Sequence, residues 1–312
     1  MRPDAQGPRR PRPAPATSAT VVRAEDAPGP TLVLRVDQLP GSPLVLGDEL
    51  TRLRDALAGT AYPRLDKIAL YGPADRTDRT DRTGRPLGYR FVQALPDGRF
   101  DFRAGCGHSL LACVVAAGQP GPVTVRAVTT GDTVLCEPEP GGDAYTLSFL
   151  KAPTAPGTLP TGRPVDVLLG VPVSLVRYGN PYVFVDARHL PDAEEALRDR
   201  LLVLRAAAAR LLGYPPHSAL PKIAAVTDGP RGISVRALTV GGWHPRLALT
   251  GAAALAAAGA LDGTVVPAPS GPVRTPGGTV TVSTAPDRVR VHHKRAEVLE
   301  KLELPWRIHA TA

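Results

Sequence analysis

Aromatic side chains make up only 4 % of this chain. Recognition of nucleic acid by stacked bases needs such platforms, so the shortage argues against that class. The cores must then rest on Ala, Val and Leu. Cysteine is rare as well: Cys106, Cys113 and Cys136 form no CxxC pair and have no His at ligand spacing, which argues against a structural zinc site. An odd number of thiols and no signal peptide point to a reducing cytoplasm. Nor is there an uncharged apolar run long enough to cross a bilayer, because the Ala-rich stretch from Leu247 to Leu261 is short and follows Arg246. The net charge is +8, yet no basic block forms a DNA-binding stripe, and part of the excess sits in Arg2, Arg9, Arg10 and Arg12, opposed only by Asp4. Neither nucleic acid nor membrane is expected as a partner. An anionic small molecule fits the balance.

What is present is a globular composition: 312 residues, 43 % of them hydrophobic, with 35 Pro and 31 Gly to make turns. That length predicts roughly two domains. Residues 1–20 are rich in Pro, Ala and Arg without apolar periodicity and read as a disordered tail. The Pro/Gly-rich segment from Ala152 to Pro164 separates a first half, 21–160, from a second, 161–312. In the first half Thr31–Val36 and Arg64–Tyr71 read as strands, the latter with Lys67 near its start. Between them a short helix is expected, capped by Asp48, with Leu50, Leu53 and Leu57 on one face and Gly59 at its stop. The Asp-Arg-Thr triplets from Asp75 to Thr83 read as a loop, and a hairpin turns at Pro96-Asp97-Gly98.

The second half repeats the first. Val183-Phe184-Val185-Asp186 with Leu190-Pro191 echoes Leu34-Arg35-Val36-Asp37 with Leu39-Pro40, and Pro221-Lys222-Ile223-Ala224 echoes Asp66-Lys67-Ile68-Ala69. Between these echoes a longer helix is expected to start at Asp192, with Glu195 completing a capping box and Leu197, Leu201, Leu204, Ala208 and Leu211 inward. Lys222, at the symmetric position, reads as structural. Towards the C-terminus, Thr279–Val291 reads as strands and Lys294–Leu304 as a surface helix.

Two stretches are apolar all round: Leu110–Gly118 after Ala104-Gly105-Cys106-Gly107-His108-Ser109, and Leu247–Leu255 with Thr250-Gly251. Each reads as a buried helix. Two such helices from a duplicated fold would bring their N-termini together across a cleft, where unpaired N–H groups and the positive dipole ends suit a carboxylate. A thiol at such an end ionises more readily. The plainer alternatives stay open: Cys106 as an inert core thiol, Lys67 as a strand-edge cation, and His108 as a helix-end imidazole satisfied by a carbonyl.

The ordered set of a glycine-flanked Cys106, Gly179-Asn180-Pro181, Pro221-Lys222-Ile223-Ala224, Thr250-Gly251-Ala252 and Pro269-Ser270-Gly271 resembles the methylaconitate isomerase family of the diaminopimelate epimerase superfamily. The resemblance implies an α+β, diaminopimelate-epimerase-like fold of two pseudo-symmetric domains, each a curled sheet around a central buried helix, with the active-site cleft between them. It implies an enzyme that needs no cofactor and no metal and moves a proton at carbon next to a carboxylate. Cys106 and Lys67 take the catalytic positions; Gly107, His108, Ser109, Asn180, Thr250, Gly251 and Ser270 take the substrate-binding ones. Thr250 stands where a true epimerase carries its second Cys, which favours an isomerase over a two-thiol racemase. Arg23–Pro30, Gly59–Asp66, Gly105 and His108 replace polar segments of that family, which argues against a tricarboxylic acid as substrate.

The expected function is therefore a cofactor-independent isomerase shifting a double bond or stereocentre of an unsaturated carboxylic acid or a secondary-metabolite intermediate. A cofactor-free cyclase closing a polyene or polyketide-like acid, and a non-catalytic binding protein, are the alternatives. The oligomeric state is left open, a homodimer being one option.

Overall fold

Strands β1 (Thr17–Ala24), β2 (Thr31–Arg35), β3 (Lys67–Pro73) and β4 (Leu87–Ala94) begin the chain, with helix α1 (Gly47–Leu57) crossing from β2 to β3. They belong to a computed structural model that describes residues 17–36, 46–74, 86–215, 218–239 and 242–304. The crossover makes β2 and β3 parallel, whereas β1–β2 and β3–β4 are antiparallel. The short β5 (Phe100–Asp101) leads into α2 (Gly107–Ala117), followed by β6 (Val123–Ala127), β7 (Thr133–Pro138) and β8 (Tyr145–Phe149).

The second half runs through the same sequence of elements. After β9 (Asp166–Leu168) come β10 (Val171–Tyr178), β11 (Asn180–Asp186), α3 (Glu194–Leu211), β12 (Lys222–Thr227), β13 (Ser234–Thr239), β14 (Gly242–Trp243), α4 (Leu249–Gly259), β15 (Val273–Thr275) and β16 (Gly278–Val280). The pairing repeats as well: β11–β12 is parallel like β2–β3, β12–β13 antiparallel like β3–β4, and β13–β15 parallel like β4–β6. The duplication read in the sequence is thus a duplication of topology. The last strands, β17 (Val282–Ala285), β18 (Arg288–Lys294) and β19 (Ala296–Leu304), return to the first sheet, whose order is β17-β18-β8-β7-β6-β4-β3-β2-β1-β19. The second sheet has the order β16-β15-β13-β12-β11-β10-β9.

The alternation of side chains along a strand decides which core each residue enters. In the first half Leu32, Leu34, Ile68, Leu70 and Val92 pack under α1, while Val33, Ala69, Tyr71, Tyr89 and Phe91 turn to the other face and surround α2. In the second half Val183, Val185, Ile223 and Ala225 pack under α3; Phe184, Ala224 and Val226 face α4. Central strands covered on both faces read as unbroken apolar runs. Helices α2 and α4 lie inside, so they carry no polar stripe; Gly118, at φ +60°, ends α2 by donating to the Val114 and Val115 carbonyls.

Several local expectations are corrected. Thr17–Thr20, read as tail, pair with β19; residues 1–16 lie outside the described chain, as do Asp37, Leu39-Pro40 and Asp75–Thr83. Helix α1 starts one residue before Asp48, which makes no side-chain cap, and its C-cap is Ala58 rather than Gly59. Helix α3 starts at Glu194 with Ala193 as N-cap and no capping box from Asp192, and Leu211 is half exposed at its fraying end. Lys294–Leu304 is no helix: pairing with β1 overrides its helical composition. Strands β17–β19 join the first sheet, so the second sheet ends with β16 at Val280.

Candidate active site

The floor of the site follows from strand alternation. Lys67 opens β3 on the same face as Ala69 and Tyr71, directly across from Gln93 on β4, and so points to the α2 side. Lys222 opens β12 on the face of Ala224 and Val226, the α4 side. The N-termini of α2 and α4 meet above them. A Cβ on Gly107 would lie 2.6 Å from Leu249 Cδ2, so only glycine permits this approach. Together these elements enclose a cavity of about 50 Å³ whose wall includes Lys67, Gln93, Cys106, His108, Asn180, Lys222, Thr239, His244 and Thr250. Among the described residues no Asp or Glu lines it.

Cys106 is the N-cap of α2, extended at φ −139° and ψ 109°, and is partly buried. Its carbonyl accepts from the Leu110 N–H at 2.9 Å and from the Tyr89 hydroxyl at 2.8 Å, which fixes the residue at the helix mouth. The first N–H groups of both helices have no intrahelical acceptor. The dipole ends therefore add to the positive character of the site.

Asn180 joins the two mouths. Its Oδ1 accepts from the Gly105 N–H at 2.7 Å, and its Nδ2 donates to the Gly105 carbonyl at 2.7 Å and to Thr250 Oγ1 at 3.3 Å. The amide is spent on this clamp. Asn180, read as a substrate contact, is thus first a positioning residue for the Cys106 loop.

Electrostatics make the site a cluster of bases held away from water. Lys222 is pushed down to about 8, by burial first and by Arg205 second. His244 falls to about 4 through burial and then the Lys67 and Lys222 charges, and its Nδ1 accepts from the Arg246 N–H at 3.2 Å. His108 is held well below the usual imidazole range by burial and next by His244, whose ring stacks on it at 6.0 Å between centroids. Both imidazoles are neutral at pH 7. Lys67 donates to the Gly29 carbonyl at 3.2 Å. Just outside, Asp26 is buried between Lys294 and Arg246, so its charge is matched and does not face the cavity as a repelling carboxylate.

The structure brings Lys67, Cys106, Gly107, His108, Asn180 and Thr250 to one cavity. It does not bring Ser109, Gly251 or Ser270. Ser109 Oγ is fully buried at 2.9 Å from Thr31 Oγ1; Gly251 packs against the Tyr182 hydroxyl; Ser270 is exposed on the segment after α4. Gln93, Lys222, Thr239 and His244 line the wall without having been marked as site residues in the sequence, and of these Lys222 and His244 are ionisable. The signal for Lys222 was the repeat itself, since a symmetric position in a duplicated fold points into the shared cleft. Nothing in the sequence marked His244, which directly follows β14. Among the described residues no group of three His, Cys, Asp or Glu side chains is placed to hold a metal ion.

No protein-family model matches the chain. Over 57 % of its length it is 28 % identical to "Putative isomerase YbhH" of Escherichia coli (strain K12), and it spans 63 % of that relative. Its backbone is similar to a crystal structure of methylitaconate-delta-isomerase, with a TM-score of 0.63 at 20 % identity, covering 94 % of this chain and 96 % of that one. The fold is that of the diaminopimelate epimerases. A hydroxyproline epimerase from Agrobacterium vitis, solved with bound trans-4-hydroxy-L-proline, superposes with a TM-score of 0.54 at 18 % identity over 93 % of this chain and 92 % of that one. The diaminopimelate-epimerase-like architecture, two sheet-rich domains with a helix inside each, thus matches the expectation from the sequence. Among the described residues no helix is long and apolar enough to cross a membrane.

Proposed function

We propose that the protein is an isomerase that moves a proton at carbon next to a carboxylate, using Lys67, Lys222 and Cys106 around one small acid. The observation that carries this reading is the convergence of two amines and a thiol on the opposed N-termini of α2 and α4, in a wall that has no Asp or Glu among the described residues. Removing a proton from such a carbon needs a base poised near neutral pH and a positive field for the resulting enolate. Lys222, at about 8, is roughly one-tenth free base at pH 7. The helix N–H groups and the Lys67 amine hold the carboxylate and its developing charge. Cys106, at the mouth of α2, exchanges the proton on the other side of the bound acid. Two amines suit a substrate carrying two anionic groups.

At about 50 Å³ the cavity is far below the ~300–1,000 Å³ of a typical ligand pocket, which favours a small acid as substrate. Its polar lining favours proton transfer over closure of a polyene ring. Fold likeness and a relative described as an isomerase support the reaction class.

The test is incubation with a panel of mono-, di- and tricarboxylic acids in deuterated water. Proton NMR should show loss of the signal at carbon next to the carboxylate in at least one acid. Acids that raise the melting temperature without any exchange would instead indicate a binding protein.

A further inference from the structure

We propose that the groove where β13, β15 and β16 meet binds a phosphate group, with Arg236 and Arg274 as its anchors. Strand register places the groups. Ser234 of β13 lies opposite Arg274 of β15, which in turn lies opposite Thr279 of β16. Their neighbours Val235, Val273 and Val280 enter the core around α4. Alternation therefore turns Ser234, Arg274 and Thr279 to the other face, and Arg236 joins them two residues along β13. Adjacent strands lie about 4.8 Å apart and two residues advance about 6.6 Å, so the two arginine stems start roughly 8 Å from each other. Two guanidinium groups on that spacing can close on one anion. Strand β15 meets β13 at the single pair Ser234–Arg274, and beside it is a cavity of about 520 Å³ whose wall includes Ser234, Arg236, Arg274, Thr275 and Thr279. Among the described residues no Asp or Glu lines it.

The fold leaves donors on both arginines. Arg274 makes a long bond to the Gly232 carbonyl at 3.4 Å, and its Nε is buried with no hydrogen-bond partner among the described residues. Such a side chain is loosely held and can turn its fork onto an anion. Arg236 lies over the Trp243 ring at 4.3 Å, which fixes the guanidinium plane and leaves its edge N–H groups for acceptors. One of its nitrogens meets Glu194 at 3.2 Å, a pair that is weak because the carboxylate is mostly in water. Thr275 Oγ1 donates to the Gly278 carbonyl at 2.8 Å and orders the turn at the rim. The arrangement favours phosphate over carboxylate. A planar carboxylate is satisfied by one fork, whereas guanidinium groups from two strands, with the Ser234 and Thr279 hydroxyls between and beside them, can surround a tetrahedral dianion. The volume lies within the ~300–1,000 Å³ of small-molecule sites, so the organic part of a phosphate ester also fits. The groove lies on the face of the second sheet opposite to Thr239 and the catalytic cavity, and stands independently of the proposed reaction.

Isothermal titration of the full chain with inorganic phosphate and with glycerol 3-phosphate tests the site, at about pH 7.5 where both are mainly dianions. Saturable one-to-one binding of at least one probe is expected. Arg274→Gln and Arg236→Gln should each weaken it about tenfold or more, by loss of a charged fork. Thr279→Glu removes no buried group and sets a carboxylate beside Arg274, so it should weaken binding likewise even if an arginine variant fails to fold. Melting curves show which variants fold. Lys67→Met should leave the affinity unchanged, because that amine lines the other cavity. Tighter binding of glycerol 3-phosphate assigns the ligand to a phosphate ester and tighter binding of inorganic phosphate to the free ion; both support the site. No saturable binding of either probe, binding indifferent to the Arg236, Arg274 and Thr279 variants, or binding lost in Lys67→Met would overturn the proposal.

Discussion

The two halves share a scaffold and differ at the points where chemistry occurs. Each places a lysine at the start of an inner strand and aims a buried helix N-terminus at the cavity, so each contributes an amine and a dipole. The mouth of α2 adds a thiol in Cys106 and an imidazole in His108; the mouth of α4 offers Ala248 and Thr250. Outside, α1 exposes Asp48, Thr51, Arg52 and Asp55, whereas α3 exposes Leu202 and Val203 among Glu195, Arg198, Asp199 and Arg210. Duplication thus fixes positive field and geometry symmetrically, because both are properties of backbone and strand register. The groups that make the site directional sit on one side only. A residue at the symmetric position of a functional one is therefore a candidate partner in the site, as Lys222 shows.

The largest effect should come from removing either amine. Lys67→Met and Lys222→Met should each lower turnover by about 10²–10⁴-fold, the usual span for a general acid or base, with the fold intact. A large loss from Lys67→Met alone would break the equivalence of the halves. Next come the contacts that hold the mouths together. Gly107→Ala drives a Cβ into Leu249 and should cost about 1–3 kcal/mol, read as a lower melting temperature. Asn180→Ala leaves the Gly105 N–H and carbonyl unpaired and should cost a similar amount, about 1–3 kcal/mol, with loss of activity through a displaced Cys106 loop.

The histidines set the acid limit. His244 titrates at about 4 in the folded protein and near 6.5 unfolded, so between these values the unfolded chain binds the extra proton. Stability should fall as pH drops through that window, by up to about 3 kcal/mol from this group. Urea titrations at several pH values should show the slope, and His244→Gln should flatten it. The smallest effect belongs to Ser270→Ala, an exposed side chain outside the cavity, which should leave activity and melting temperature unchanged within about 0.5 kcal/mol.

The strand and helix pattern was legible because hydrophobic period and duplication reinforce one another: β3 and β12, or α2 and α4, identify each other. What escaped was decided by tertiary pairing. Lys294–Leu304 has a helical composition, but an unpaired β1 edge recruits it as β19. Cys106, Lys67 and His108 could be placed by motif and register, and their meeting point followed from the repeat. Ser109 and Ser270 could not be judged, since one strand face or one loop turn separates lining from burial or exposure. His244 reaches the site from the short connection between β14 and α4, which has no period to read.

The central claim is that both halves supply the reacting groups, and it is tested most directly by deuterium incorporation into a turned-over acid by the wild type, Lys67→Met, Lys222→Met and Cys106→Ala. All three variants should lose at least about 100-fold in exchange rate while melting as cooperatively as the wild type. Exchange at the wild-type rate in Lys222→Met would contradict it and return that lysine to a structural role.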